Sequence, residues 1–403
     1  MSDAILTLNA GSSSIKLAIF DLAPDGRLSS WRRGDLRETG DVQRFRLRDA
    51  DGAGIADETW NVTGFEASLS RLTTRIGNEL AGRRLAGIGH RVVHGGAGHR
   101  MPERVTPDLL DMLEELAELA PLHVPHNLAP IRAIARDQPD IPQVVCFDTA
   151  FHRTMMPVAR RFALPRSYEA RGIRRYGFHG LSYEYIARQL AALSPRIHAG
   201  RVIVAHLGSG ASMCAMRGGT SVDTTMGFTA LDGLVMGTRC GTLDPGALLH
   251  VMRQDGLDVD AMERLLYTRS GLLGMSGISN DMQVLLESRE TAASEAIDVF
   301  VYRIVREVGA LASVLGGLDA LVFTAGIGEN SPEIRERTCG QLGWLGLDLD
   351  AAANRRGAAV ISTPESRVEV RVIATDEEAM IAEHVRDLPM LAGDPVQPAG
   401  PNR

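Results

Sequence analysis

Val202-Ile203-Val204-Ala205-His206-Leu207-Gly208-Ser209-Gly210-Ala211-Ser212-Met213-Cys214-Ala215-Met216 is the stretch whose reading decides the fold. An apolar, β-branched run meets a Gly/Ser turn and a second apolar run, which predicts strand, tight turn, strand. A Gly218-Gly219 turn follows. The chain opens on the same pattern: Ile5-Leu6-Thr7-Leu8, then Asn9-Ala10-Gly11-Ser12-Ser13-Ser14, then Ile15-Lys16-Leu17-Ala18-Ile19-Phe20. Sliding one segment over the other by 197 places sets His206 on Asn9, Gly208 on Gly11 and Ser209 on Ser12. Two such units, half a chain apart, suggest a duplicated domain with two phosphate-facing turns. The spacing alone leaves open a coincidence between two glycine-rich hairpins.

Between the two lie further signals. Residues 44–52 alternate and end in Asp-Gly, so more antiparallel strand is expected. Phe65, Leu69, Leu72, Ile76 and Leu80 share one helical face. Thr106-Pro107-Asp108 reads as an N-cap, a proline at the first helical position and an acidic first turn, opening an amphipathic body from Leu109 to Leu119. Val144-Val145-Cys146-Phe147 is a short buried strand that delivers Asp148 at its end. A third unit, Ala320 to Thr324 and then Ala325-Gly326-Ile327-Gly328-Glu329-Asn330, reads as strand and glycine turn, with Ser331-Pro332 opening a helix.

The chain has 403 residues, 44% hydrophobic and 23% charged, too long for one core and enough for two or three domains. A net charge of −7 argues against gripping nucleic acid over a broad basic surface. No apolar run reaches the roughly 18 residues of a membrane helix, and the first residues lack the basic start of a secretory signal. Cys146, Cys214, Cys240 and Cys339 are widely spaced, so a disulfide framework is not expected. The expected location is the cytoplasm. Of 43 basic residues one is a lysine, Lys16, just after the first turn, where a compact point charge suits a phosphate better than a planar guanidinium.

There is no G-x-x-x-x-G-K-[ST] loop, and neither Gly208-x-Gly210 nor Gly326-x-Gly328 carries the third glycine of a dinucleotide fingerprint. Phosphate binding would then come from paired hairpin turns, with backbone N–H groups, Ser12, Ser13 and Ser14 as donors and Lys16 as charge. His90 and His94 read as one strand, about 13 Å apart and too far to share a metal. Arg91, Asp148, the Arg174-Arg175-Tyr176-Gly177-Phe178-His179-Gly180 run and Gly237-Thr238-Arg239 put arginines and a carboxylate in apolar, glycine-flanked segments. An anion pocket fits that setting better than a solvated surface.

Those segments, in order, carry a resemblance. The opening Asn9–Lys16 segment, Gly89-His90-Arg91-Val92-Val93-His94-Gly95-Gly96, Phe147-Asp148-Thr149-Ala150-Phe151-His152, the 174–180 run and His206–Ser212 resemble the acetate kinase family. So do Val222-Asp223-Thr224-Thr225-Met226-Gly227-Phe228-Thr229, Met236-Gly237-Thr238-Arg239, Thr324–Asn330 and Thr375-Asp376-Glu377-Glu378. The match runs from residue 5 to about 385. It implies an α/β fold of two duplicated actin-like ATPase (ribonuclease H-like) domains with a cleft between them. The expected boundaries are 1–149 joined by a C-terminal helix at 376–390, then 150–375, with 391–403 as a disordered tail. It also implies reversible phosphoryl transfer from ATP to acetate, giving acetyl phosphate and ADP, with Mg²⁺ (or Mn²⁺), in a homodimer. Carried over by motif position, Asn9 and Glu377 would serve the metal. Lys16 and Ser12 would meet the nucleotide phosphates. Arg91 would take the acetate carboxylate, with Val93, Leu122 and Phe178 around its methyl group. His206, Leu207, Gly208, Ser209 and Gly210 would line the nucleotide, with Asp281, Met282, Gln283 and Gly326, Ile327, Gly328, Glu329, Asn330. Asp148, His179 and Arg239 would be catalytic.

The sequence departs from the family pattern in places. His179-Gly180-Leu181-Ser182-Tyr183 ends in tyrosine where the family has histidine. Ser209 replaces an asparagine, Gln283 an arginine, and Ala230 a proline of the methyl pocket. The loss of that proline's bulk predicts better tolerance of propionate, since one methylene is worth only about 1–3 kcal/mol of discrimination. Propionate or broad short-chain carboxylate kinase activity is the nearest alternative. A non-enzymatic clamp of the same fold is the remote one, and it has no use for an anion pocket.

Overall fold

The computed structural model describes residues 3–11, 14–39, 42–62, 64–80, 82–116 and 124–388. The chain divides into two compact units, one running to Ala150 and resuming at Glu377, the other spanning Phe151–Asp376. The 391–403 tail lies outside the described residues, as do Ser12, Ser13 and Leu122.

The first unit is built on an eight-stranded sheet: β1 (Asp3–Ala10), β2 (Ser14–Leu22), β3 (Leu28–Thr39), β4 (Val42–Asp49), β5 (Gly54–Trp60), β6 (Arg84–Val92), β7 (Glu103–Arg104) and β8 (Gln143–Phe147). Their spatial order is β5-β4-β3-β2-β1-β6-β8-β7. β1 through β5 form an antiparallel meander, while β1, β6 and β8 run parallel. Helix α1 (Phe65–Glu79) lays Leu69, Leu72 and Ile76 on the sheet over Leu6, Leu8, Phe45 and Trp60. Helix α2 (Pro107–Glu115) starts at Thr106, whose hydroxyl accepts from the Leu109 amide at 3.2 Å. Helix α3 (Val124–Asp137) covers β6 and β8 with Leu128 and Ile131. The C-terminal helix (Glu377–Asp387) presses closely on β6: a side chain at Gly89 would come within 2.3 Å of Ile381. Only glycine permits that approach, and it fixes where Glu377 stands.

The second unit holds a five-stranded sheet of β9 (Arg201–Leu207), β10 (Ala211–Arg217), β11 (Thr220–Thr224), β12 (Ala320–Thr324) and β13 (Glu369–Val372), in the order β11-β10-β9-β12-β13. Set beside β3-β2-β1-β6-β8, it is the same arrangement: a three-stranded antiparallel meander whose first strand has two parallel neighbours on its other side. The repeated hairpin is therefore the start of a repeated domain. The turns differ by one residue, Ala10 pairing with Ile15 but Leu207 with Ala211. Helix α4 (Gly180–Leu193) buries Tyr183, Ile186 and Leu190 against β9 and β10. Helices α5 (Met282–Glu287) and α6 (Thr291–Leu315) follow, the latter burying Phe300, Ile304 and Val308.

One expectation fails here. The segment after β12 is not an open glycine turn but helix α7 (Ala325–Asn330), with α8 (Pro332–Cys339) directly behind it. The chain enters α7 through Ala325, which adopts φ = +64°. That left-handed elbow is costly for a residue with a Cβ and is held by groups described below. Among the described residues no helix is long and apolar enough to cross a membrane.

Candidate active site

In parallel α/β sheets, functional groups gather beyond the C-terminal ends of the strands. In the first unit those ends, on β1, β6 and β8, deliver Asn9, Arg91 and Asp148 side by side. The Arg91 Nε donates to Asp148 Oδ2 at 2.8 Å, Nη2 donates to the same oxygen, and Nη1 donates to Asn9 Oδ1 at 3.2 Å. Asn9 Nδ2 in turn donates to Glu377 Oε2 at 3.3 Å. The Asp148 side chain is 1% exposed and that of Arg91 19%, so the carboxylate is enclosed while part of the arginine side chain meets solvent. Burial works against the charge on Arg91, but Asp148 and Glu377 more than offset it and hold the guanidinium protonated. Asp148 thus orients an arginine.

Sequence reasoning passed over Asn127, which is buried on α3. Its Oδ1 accepts from the Val93 amide at 3.0 Å, and its Nδ2 donates to the Ala10 carbonyl at 2.6 Å. It ties the end of β1 to the segment after β6, fixing buried Val93. Lys16 stands exposed on β2, opposite Asn9 in the register, in the strand after the turn as its sequence pattern indicates. His94 lies beyond the end of β6, so it does not share a strand with His90. Asn9, Glu377 and Asp148 offer only oxygen. Among the described residues no three His, Cys, Asp or Glu are placed to cage an ion. That donor set fits a hard cation that keeps several waters and leans on substrate phosphates.

The second unit assembles a different set. His206 ends the turnward part of β9, and Ser182 Oγ shares a 2.8 Å hydrogen bond with its Nδ1. His179, in a left-handed conformation (φ = +59°), stacks on it with ring centroids 4.1 Å apart and an 18° interplanar angle. The His179 Nδ1 lies 2.8 Å from Ser212 Oγ, and the Tyr183 hydroxyl reaches that same serine oxygen. Gly210 is where this set closes: a Cβ there would lie 2.6 Å from Arg239 Nη2 and 3.2 Å from His179 Nε2. Arg239 is steered by donating Nη1 to the Ala230 carbonyl at 2.6 Å. Phe178 is buried, its carbonyl sharing a 3.0 Å bond with His152 Nε2.

The turn 208–210 and helix α7 are neighbours, since a Cβ on Gly208 would sit 3.6 Å from that of Ala325. Glu329, expected to line a nucleotide, turns inward instead. Its Oε1 accepts from the Ala325 amide at 2.7 Å and the Thr375 amide at 3.1 Å, holding the left-handed elbow. Buried Arg335, another residue the sequence did not single out, donates to the carbonyls of Gly328 and Glu329, both at 2.8 Å, and to Asn354. Gly326 and Asn330 remain exposed and Ile327 half-buried. Leu207 and Met282 are buried, so a ligand would meet only their backbone. Ser209 is exposed. Asp281 caps α5, accepting from the Gln283 amide at 2.8 Å, and exposed Gln283 donates to Glu287. Arg175, grouped by sequence with an anion pocket, donates Nη1 to the carbonyls of Thr224, Thr225 and Met226. It braces a loop.

Residues 4–383 match the model of the acetokinase family. The chain is 50% identical over 390 residues to an acetate kinase of Rhodopseudomonas palustris, covering 96% of this chain and 98% of that one. The crystal structure of Porphyromonas gingivalis acetate kinase superposes with a TM-score of 0.84 at 35% identity, covering 95% of this chain and 98% of that one. That of a propionate kinase from Francisella tularensis gives 0.88 at 35% identity, with the same coverage.

Proposed function

The chain belongs to the acetokinase family, and from that premise we propose how its two sets of residues divide the work. The reaction is that of an acetate kinase, phosphoryl transfer between ATP and the carboxylate of acetate, on the actin-like ATPase fold. Acetate is already ionised at neutral pH, so its attack requires no proton to be removed. The obstacle is repulsion. A carboxylate about 4 Å from a phosphoryl group of about two charges faces roughly 8 kcal/mol at an effective dielectric near 20. Fixed cations must offset it.

Arg91 binds the acceptor carboxylate, and the observation that carries this reading is its double hydrogen bond to buried Asp148 while its own side chain stays part-exposed. Asp148 holds that guanidinium in place and is not a base. The family pattern assigns the acid's methyl side to the positions of Val93, Leu122 and Phe178. Arg239 and the Nε2 side of His179 stabilise charge on the transferring phosphoryl group. The backbone of 206–210, 281–283 and 326–330 cradles the nucleotide, and the family pattern assigns Lys16 and Ser12 to its phosphates. Asn9 and Glu377 would hold Mg²⁺ or Mn²⁺, which neutralises phosphate charge when bound. We place the enzyme in the cytoplasm as a homodimer, without nucleic-acid or membrane partners.

The test is a hydroxamate assay with ATP, hydroxylamine and a panel of acids. Acetate leads, propionate follows with a kcat/KM lower by less than a few hundredfold because Ala230 stands where a proline would add bulk, and butyrate is remote. Absence of acetyl hydroxamate would overturn the reading. An acetate-to-propionate ratio above a few hundred would overturn the role given to Ala230.

A further inference from the structure

We propose that Tyr183 is a positioning residue for phosphoryl transfer, acting through Ser212 to decide which nitrogen of His179 carries the proton. The inference rests on the reading that His179 faces the transferring group. Tyr183 lies in the first turn of α4, and its amide donates to the His179 carbonyl at 3.1 Å, which sets both side chains over β10. The phenol and Ser212 are both fully buried. One serine oxygen therefore faces two polar partners with a single proton to give.

The chemistry of the three groups fixes the direction. A buried phenol O–H that donates to nothing is expensive, and the partner in reach of Tyr183 is Ser212 Oγ. Tyr183 therefore donates to Ser212, whose own proton then points at His179 Nδ1. A nitrogen that accepts carries no hydrogen, so neutral His179 holds its proton on Nε2. Nε2 is the atom that converges with Arg239 Nη2 around Gly210. The chain Tyr183→Ser212→His179 thus presents an N–H, not a lone pair, on the side where anionic oxygens would approach. With the chain reversed, the phenol proton would have no acceptor, and a lone pair would face the phosphoryl group.

Three further titratable groups pack around this chain of hydroxyls and imidazole. His206 is stacked on its face, Arg239 flanks Nε2, and His152 packs edge-on against Tyr183 with ring centroids 5.6 Å apart. Burial keeps the phenol protonated far above its usual range, so Tyr183 is a donor at every working pH.

Tyr183→Phe removes the donor and keeps the shape. It is expected to lower kcat roughly tenfold while leaving KM for ATP and acetate within about twofold. In a His179→Gln background the same change should alter kcat by less than about twofold. Two-bond proton–nitrogen spectra of the ¹⁵N-histidine-labelled wild-type enzyme, assigned with His179→Gln, should show His179 protonated on Nε2. A proton on Nδ1 would overturn the proposal, and this readout stands even if the phenylalanine variant fails to fold. An equal loss in both backgrounds would also overturn it, marking Tyr183 as merely structural. His179→Gln with unchanged kcat would instead overturn the reading of His179 beneath the proposal, whatever tautomer the spectra show.

Discussion

The two units repeat one sheet, yet their strand ends carry opposite kinds of chemistry. At the ends of β1, β6 and β8 the set is ionic: Arg91 is anchored by Asp148 and Asn9, with Glu377 behind. At the end of β9 and around it the set is two stacked histidines, each held at Nδ1 by a serine hydroxyl, with Arg239 as the fixed cation. The lesson is that duplication supplies positions, while the residues at those positions set the task. Asn9 and His206 share a place in the repeat and little else.

The comparison breaks first at Asp148. Asp148→Asn should cost about 10²–10³ in kcat, because truncating one side of a buried charge pair loosens the other. Raising the pH should not restore it, and the Mg²⁺ requirement should rise; recovery at high pH with unchanged metal dependence would make Asp148 a base after all. Gly210→Ala comes next. Its new methyl group would displace the flexible end of Arg239, so kcat should fall about tenfold while acetate KM stays within threefold, as steady-state kinetics would show.

A smaller effect is common to both units and depends on pH. Each holds a buried histidine whose proton affinity is lowered, His90 beside Gln143 in the first and His152 between Ser221 and Phe178 in the second. Burial lowers both to about 4. Because the folded value lies below the unfolded 6.5, their contribution is complete above about pH 6.5 and is lost as pH falls towards 4. Melting temperature should decline across that window. His90→Gln and His152→Gln should each flatten the slope in scanning calorimetry; an unchanged slope in both would refute the assignment.

Much of this was legible beforehand because it rested on short-range patterns. The hairpins at 5–20 and 202–216 show as apolar runs around Gly/Ser turns, and Asp148 shows as the residue ending a buried strand. What escaped depends on long-range geometry. Two glycines in Ala325–Asn330 mask a helix whose entry needs Glu329 and, 46 residues on, Thr375. Asn127 and Arg335 sit on helices where a polar residue usually meets water, and only their distant partners, Ala10 and Asn354, show otherwise. Arg175 and Arg91 look alike in sequence, yet carbonyls surround the first and a carboxylate holds the second.

The most direct measurement is acetate and ATP kinetics on Arg91→Lys and Arg239→Lys side by side. The division argued for predicts that Arg91→Lys raises acetate KM about a hundredfold with ATP KM within threefold, since an ammonium cannot reproduce the fork that Asp148 holds, and that Arg239→Lys lowers kcat with acetate KM little changed. Equal losses in ATP KM for both variants, with acetate KM untouched by Arg91→Lys, would contradict it.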